Sequence, residues 1–93
     1  MAVLSADQLR DALAQAPAWS SDGDAIVREL SFADFAAAMV FVNRVAELAQ
    51  AADHHPDILL HGWNKVRLTL STHSQGGITA ADFDLAARID GLA

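Results

Sequence analysis

Apolar and polar positions recur with two periods along this chain, and each change of period marks an element. Leu9, Ala12, Leu13 and Ala16 follow helical spacing behind Ser5 and Gln8, a Ser-x-x-Gln capping box. Pro17 stops that helix, because the residue before a proline avoids the helical region. A strand is expected from Trp19, a turn at Asp22-Gly23, and a return strand through Ala25–Leu30. In the return strand Ile26, Arg28 and Leu30 share one face, with Val27 and Glu29 on the other.

Ser31 and Asp34 give a second start signal, opening the longest helix over roughly Phe32–Asp53. Its predicted buried stripe is Phe35, Ala38, Met39, Val42, Val45, Ala46 and Ala49, opposite Asn43, Arg44, Glu47 and Gln50. Pro56 ends it and leaves His54 and His55 at its C-terminal edge. Ile58–Leu60 then reads as a short strand, and His61-Gly62 as a turn or bulge.

Lys65–His73 alternates strictly. Val66, Leu68, Leu70 and Thr72 face one way, and Lys65, Arg67, Thr69, Ser71 and His73 the other. Past a glycine-containing loop, Thr79 and Asp82 cap a last helix, about Ala80–Leu92, that buries Leu85, Ala86, Ile89 and Leu92. The prediction is an α+β fold: a four-stranded antiparallel sheet with three helices packed on it, in the order α-β-β-α-β-β-α.

Composition narrows the function more than the fold. At 93 residues the chain is expected to form one domain over residues 1–93, with a modest core. An apolar content of 53% excludes a disordered chain, and a core this small favours a homo-oligomer. A net charge of −6 argues against nucleic acid and against an anionic membrane surface, since both need clustered Lys or Arg. No apolar run approaches the roughly 20 residues of a membrane span. The start MAVLSADQLR lacks the features of a signal peptide, and the chain has no cysteine for disulfides. A cytoplasmic protein is the expectation.

Candidate chemistry concentrates in Asp53–His73, which opens with His54-His55-Pro56 and closes on His73. An unperturbed imidazole titrates at about pH 6.5, which suits proton transfer near neutrality. Histidines at a helix end also serve as plain caps on its carbonyls, so spacing alone leaves both readings open. His73 is expected at a strand end beside a glycine-containing loop, where a side chain reaches a cleft without disturbing the sheet. Asp82 belongs at the third position of its helix for capping alone, whatever else it does.

Three histidines could also form a zinc site, but neither a regular ligand pair nor an evident carboxylate partner accompanies them. Ser71 and Ser74 lie near His73 without the strand-turn-helix signature of a serine nucleophile. What remains is general acid–base catalysis by histidine, without metal or cofactor.

Taken together, the chain resembles the pterin-4a-carbinolamine dehydratases, a fold also known as a dimerisation cofactor of a homeodomain transcription factor. The resemblance is carried by His54, His55, Pro56, Trp63, His73 and Asp82 in order, with Asn64-Lys65-Val66, Leu70-Ser71-Thr72-His73, Leu85-Ala86 and Ile89-Asp90 between and after them. Upstream it extends through Phe32, Phe35, Phe41, Val45, Ala46 and Glu47. Two departures are visible: Gln50 occupies a position often charged in the family, and the Pro56–Trp63 segment is one residue longer than the family spacing.

The resemblance implies loss of water from a 4a-hydroxytetrahydropterin to give the quinonoid dihydropterin. It implies His54, His55 and His73 around the pterin as acid and base, and Asp82 orienting an imidazole. Asp53, Pro56, Trp63, Ser71 and Thr72 would contact the substrate. It also implies a homodimer or homotetramer. Other proteins of this fold are a transcriptional coactivator and assembly factors for a carbon-fixing enzyme, so a non-catalytic binding or assembly module is the alternative.

Overall fold

The computed structural model describes residues 2–93, and among them lie three α-helices and one four-stranded sheet. The predicted class and element order hold. Helix α1 spans Ala6–Ala14 and begins with the expected capping box: the Ser5 hydroxyl accepts the Gln8 N–H, and the Gln8 side chain accepts the Ser5 N–H at 2.8 Å. The hairpin of β1 (Ser20–Asp22) and β2 (Ala25–Ser31) turns on Gly23-Asp24, one residue later than the sequence suggests. Gly23 takes φ +60°, a conformation a glycine adopts without strain.

Helix α2 runs Phe35–Ala52, and its cap is Asp34, whose carboxylate accepts the Ala37 N–H at 2.8 Å. The predicted start at Phe32 fails for a tertiary reason. The Phe32 N–H donates to the Asn64 carbonyl at 2.8 Å, and the Asn64 amide donates back to the Phe32 carbonyl at 2.9 Å, which holds Phe32 outside the helix. The Phe32 ring then packs on Phe41, with ring centroids 5.0 Å apart. The buried stripe follows this anchor and consists of Ala38, Phe41, Val45 and Ala49, while the expected core residues Phe35 and Met39 stand 53% and 37% exposed.

Strands β3 (Asp57–His61) and β4 (Lys65–Leu70) form the second hairpin, and the sheet order is β1-β2-β4-β3, antiparallel throughout. Val66, Leu68 and Leu70 are fully buried on one face of β4, as the alternation requires. Regular pairing stops at Leu70, three residues before the predicted end. An isolated bridge between Thr72 and Gly77 closes a short 3-10 turn, His73–Gln75, instead. Helix α3 (Ala80–Asp90) covers the same sheet face as α2 with Leu85, Ala86 and Ile89. Its end is tied down by Asp90, which accepts the Trp19 indole N–H at 2.8 Å and pairs with Arg28.

Candidate functional site

Two histidine-bearing chain segments meet at one end of the sheet. The first leaves α2. Asp53 closes that helix in the left-handed region, φ +49° and ψ +43°, and its N–H still reaches back to the Ala49 and Gln50 carbonyls. His54, His55 and Pro56 follow and lead directly into β3. The second segment leaves β4 as Ser71, Thr72 and His73. The register Asp57↔Thr69 sets the residue after Pro56 beside the strand that ends in Ser71-Thr72-His73.

Asp82 joins the two. Its side chain is wholly buried, and its Oδ1 lies 2.6 Å from His54 Nε2. Its Oδ2 accepts the Thr79 N–H at 2.9 Å and the Thr72 hydroxyl at 3.0 Å. The last helix is thus capped by the same carboxylate that grips the imidazole. A buried carboxylate with three partners is fully satisfied, so it holds His54 in one position at little cost. His54 is correspondingly withdrawn, with its side chain only 16% exposed.

His55 lies on the outside, where its Nε2 sits 2.6 Å from Gln50 Oε1. The Gln50 position, noted above as a departure from the family pattern, therefore touches a candidate catalytic residue. His73 is exposed and lines a cavity of about 300 Å³ with Asp24, Ala25, Asp57, Thr69, Ser71 and Gly76. The Ser71 hydroxyl donates to the Asp24 carbonyl at 2.8 Å, which fastens the β1–β2 turn over that cavity. His54 lines a separate cavity of about 220 Å³ with Ala51, Ala52, Ala81, Asp84, Leu85 and Arg88.

Within one chain, then, His54 and His73 are linked through Asp82 and Thr72 rather than by sharing a cavity. Trp63 is not brought to them. It sits at the tip of the β3–β4 hairpin, 61% exposed, at the end of β4 opposite His73. Its backbone is left-handed, φ +60°, a conformation that costs a non-glycine residue on the order of 1 kcal/mol.

Thr79 is the residue that sequence reasoning undervalued. It was legible only as a helix cap, yet its hydroxyl lies 2.8 Å from that of Thr72 and its N–H supports Asp82. The capping-box spacing to Asp82 was the available signal. Among the described residues no three His, Cys, Asp or Glu side chains converge as a metal-holding group, and no helix is long and apolar enough to cross a membrane.

Comparison with known proteins settles the family. The family model described as pterin 4 alpha carbinolamine dehydratase matches residues 2–92. The chain belongs to this family. A protein of Acidobacterium capsulatum, provisionally named a pterin-4-alpha-carbinolamine dehydratase, is 50% identical over 92 residues, 99% of each chain. One from Chloroflexus aurantiacus with the same provisional name is 52% identical over 87 residues, 94% of this chain and 92% of that one.

Among solved structures, a transcriptional coactivator/pterin dehydratase from Brucella melitensis superposes with a TM-score of 0.91 at 34% identity, covering 98% of both chains. A pterin dehydratase-like protein identified as a RuBisCO assembly factor in the alpha-carboxysome gives a TM-score of 0.65 at 25% identity, over 81% of this chain and 86% of that one. Solved structures similar to this chain therefore carry names of both kinds. This chain shares the fold of both.

Proposed function

We propose that this member of the dehydratase family removes water from a 4a-hydroxytetrahydropterin, with histidines as general acid and base. The observation that carries the reading is the Asp82 link between His54 and Thr72, which couples the His-His-Pro segment to the one bearing His73. A helix cap alone needs no imidazole on its other oxygen. A carboxylate behind an imidazole is the usual device for fixing the ring's orientation and tautomer.

The chemistry asks little else of the protein. The C4a–O bond breaks with its electrons leaving on oxygen, so an acid must deliver a proton and release water. The N5–H bond gives up its proton to a base, and its electrons form the C4a=N5 double bond of the quinonoid product. His54, His55 and His73 supply both functions, and no cofactor or metal is used. Asp53, Pro56 and Ser71 flank these histidines as pterin contacts, Thr72 turns its hydroxyl to Asp82 instead, and Trp63 joins them only where a second subunit brings its hairpin tip near. The cavity beside His73, at about 300 Å³, is at the small end of ligand sites and of the size a bicyclic ring requires.

A second reading, a scaffold without turnover, draws support from the likeness to the RuBisCO assembly factor. Turnover separates them. Adding the protein to freshly generated 4a-hydroxytetrahydropterin is expected to accelerate its absorbance decay in proportion to protein concentration. A folded sample with no acceleration contradicts the dehydratase reading and favours the scaffold.

The homodimer or homotetramer expected above is part of the proposal. Phe35, Met39 and Val40 of α2 are 53%, 37% and 51% exposed, and β3 is an edge strand carrying Ile58 and Leu59, 36% and 54% exposed. Light scattering is expected to give a mass two or four times the 9.9 kDa of the chain, and a 9.9 kDa species at micromolar concentration contradicts this.

A further inference from the structure

The hydroxyls behind Asp82 form a chain whose direction can be read from donor and acceptor counts. Thr79 N–H has one proton and gives it to Asp82 Oδ2 at 2.9 Å. A hydroxyl also has one proton, and Thr72 gives its own to the same Oδ2 at 3.0 Å. At the 2.8 Å contact between Thr72 Oγ1 and Thr79 Oγ1 the proton must therefore come from Thr79. Thr79 Oγ1 in turn accepts the Ala81 N–H at 3.2 Å.

The sequence of donations runs one way. Ala81 N–H donates to Thr79, Thr79 to Thr72, and Thr72 to Asp82. Both donors that reach Asp82 from this side end on Oδ2, which leaves Oδ1 facing His54 Nε2 at 2.6 Å as an acceptor. With Asp82 present as the carboxylate, Oδ1 can only accept, so a contact this short places the shared proton on Nε2. An unprotonated Nε2 would set lone pair against lone pair in a site where Asp82 is fully shielded from solvent.

We propose that this one-way hydroxyl chain, acting through Asp82, locks neutral His54 as its Nε2-protonated tautomer and so makes Nδ1 the nitrogen that accepts the substrate proton. Thr72 and Thr79 are positioning residues in this scheme. His54 is then the base, and the acid is drawn from His55 and His73. The tautomer lock stands on geometry alone, whereas the identity of the proton rests on the dehydratase reading above. Thr72, a candidate substrate contact from its place in the sequence, acts here through its hydroxyl, which donates to Asp82.

The test reads the tautomer directly and needs no activity. Long-range ¹H–¹⁵N correlation of the imidazoles in the full-length protein, with His54 assigned by comparison with His54→Gln, reports which nitrogen is protonated. The wild type is expected to show a protonated Nε2 and a pyridine-like Nδ1 at His54. Thr72→Val, checked for folding by circular dichroism, is expected to shift His54 toward a mixture of tautomers, and Thr72→Ser to restore the single form.

In parallel kcat falls on the order of 10-fold in Thr72→Val, with KM little changed and recovery in Thr72→Ser, the scale at which orienting groups act. A wild-type His54 protonated on Nδ1 overturns the proposal outright, whatever the variants do. So does a tautomer unmoved in a folded Thr72→Val protein. A locked tautomer in a protein without dehydratase turnover overturns the assignment of His54 as base, and separates that failure from the geometry.

Discussion

Replacing His54 and His73 together by alanine is expected to lower the catalysed part of pterin dehydration by about 10²–10⁴-fold, the range of well-placed acid–base groups. The expectation follows from the division of labour. His54 is held from behind by Asp82, and His73 opens onto the cavity beside Asp57 and Ser71. Neither change removes a packed core residue, because His73 is exposed and His54 is only partly buried. Because His54→Ala leaves Asp82 Oδ1 without its imidazole partner, rates are compared on samples shown folded by circular dichroism, where loss of rate reads as loss of chemistry. Each single variant should cost less than the pair. Stopped-flow rates for the two singles and the double measure this, and a double variant as fast as wild type removes both histidines from the mechanism.

Asp82→Ala is expected to destabilise the protein by about 3 kcal/mol, the scale for stranding several buried partners of one charged group. The carboxylate accepts from Thr79 and Thr72 and faces His54, with none of its surface in contact with solvent. Alanine leaves a backbone N–H, a hydroxyl and an imidazole without that acceptor. Asp82→Asn should fall between, since one amide oxygen cannot accept from both sides at once and the amide nitrogen opposes a donor. Urea unfolding midpoints at unchanged m-value check the order wild type, Asn, Ala. An Asp82→Ala protein as stable as wild type contradicts the picture of a shared cap and site.

Much of this architecture is written locally. The capping boxes Ser5-Gln8 and Thr79-Asp82, the alternation of Val66, Leu68 and Leu70, and the helical recurrence of Leu85, Ala86 and Ile89 each depend on neighbours a few residues away. What escaped was set by distant contacts. Asn64 holds Phe32 out of α2 from 32 residues away, which moves the helix cap to Asp34 and turns Phe41 inward in place of Phe35 and Met39. The exposed Phe35 and Met39 carried the right periodicity on the wrong face, since period alone does not choose among faces of an alanine-rich helix. Strand β4 ends early because Thr72 is bonded to Gly77 and turned in toward Asp82.

The site divides in the same way. His54, His55, His73 and Asp82 are recognisable as types in a suggestive order, but only folding shows that Asp82 grips His54 and not His55 or His73. Asp82 lies 28 positions after His54, and nothing in the intervening sequence announces their pairing. Thr79 looked like a cap and is one, yet it also stands behind the imidazole. Trp63 followed the family spacing to His73, while the hairpin geometry carries the two to opposite ends of β4.

The central claim is that one pterin is held jointly by the His-His-Pro and Ser-Thr-His segments. The measurement that tests it most directly is backbone amide chemical-shift mapping of the full-length protein during titration with a stable dihydropterin. The account predicts saturable shifts concentrated at residues 53–57 and 71–77, spreading to Thr79 and Asp82 through their shared hydrogen bonds. Shifts confined to another surface, or none at millimolar pterin, would contradict it.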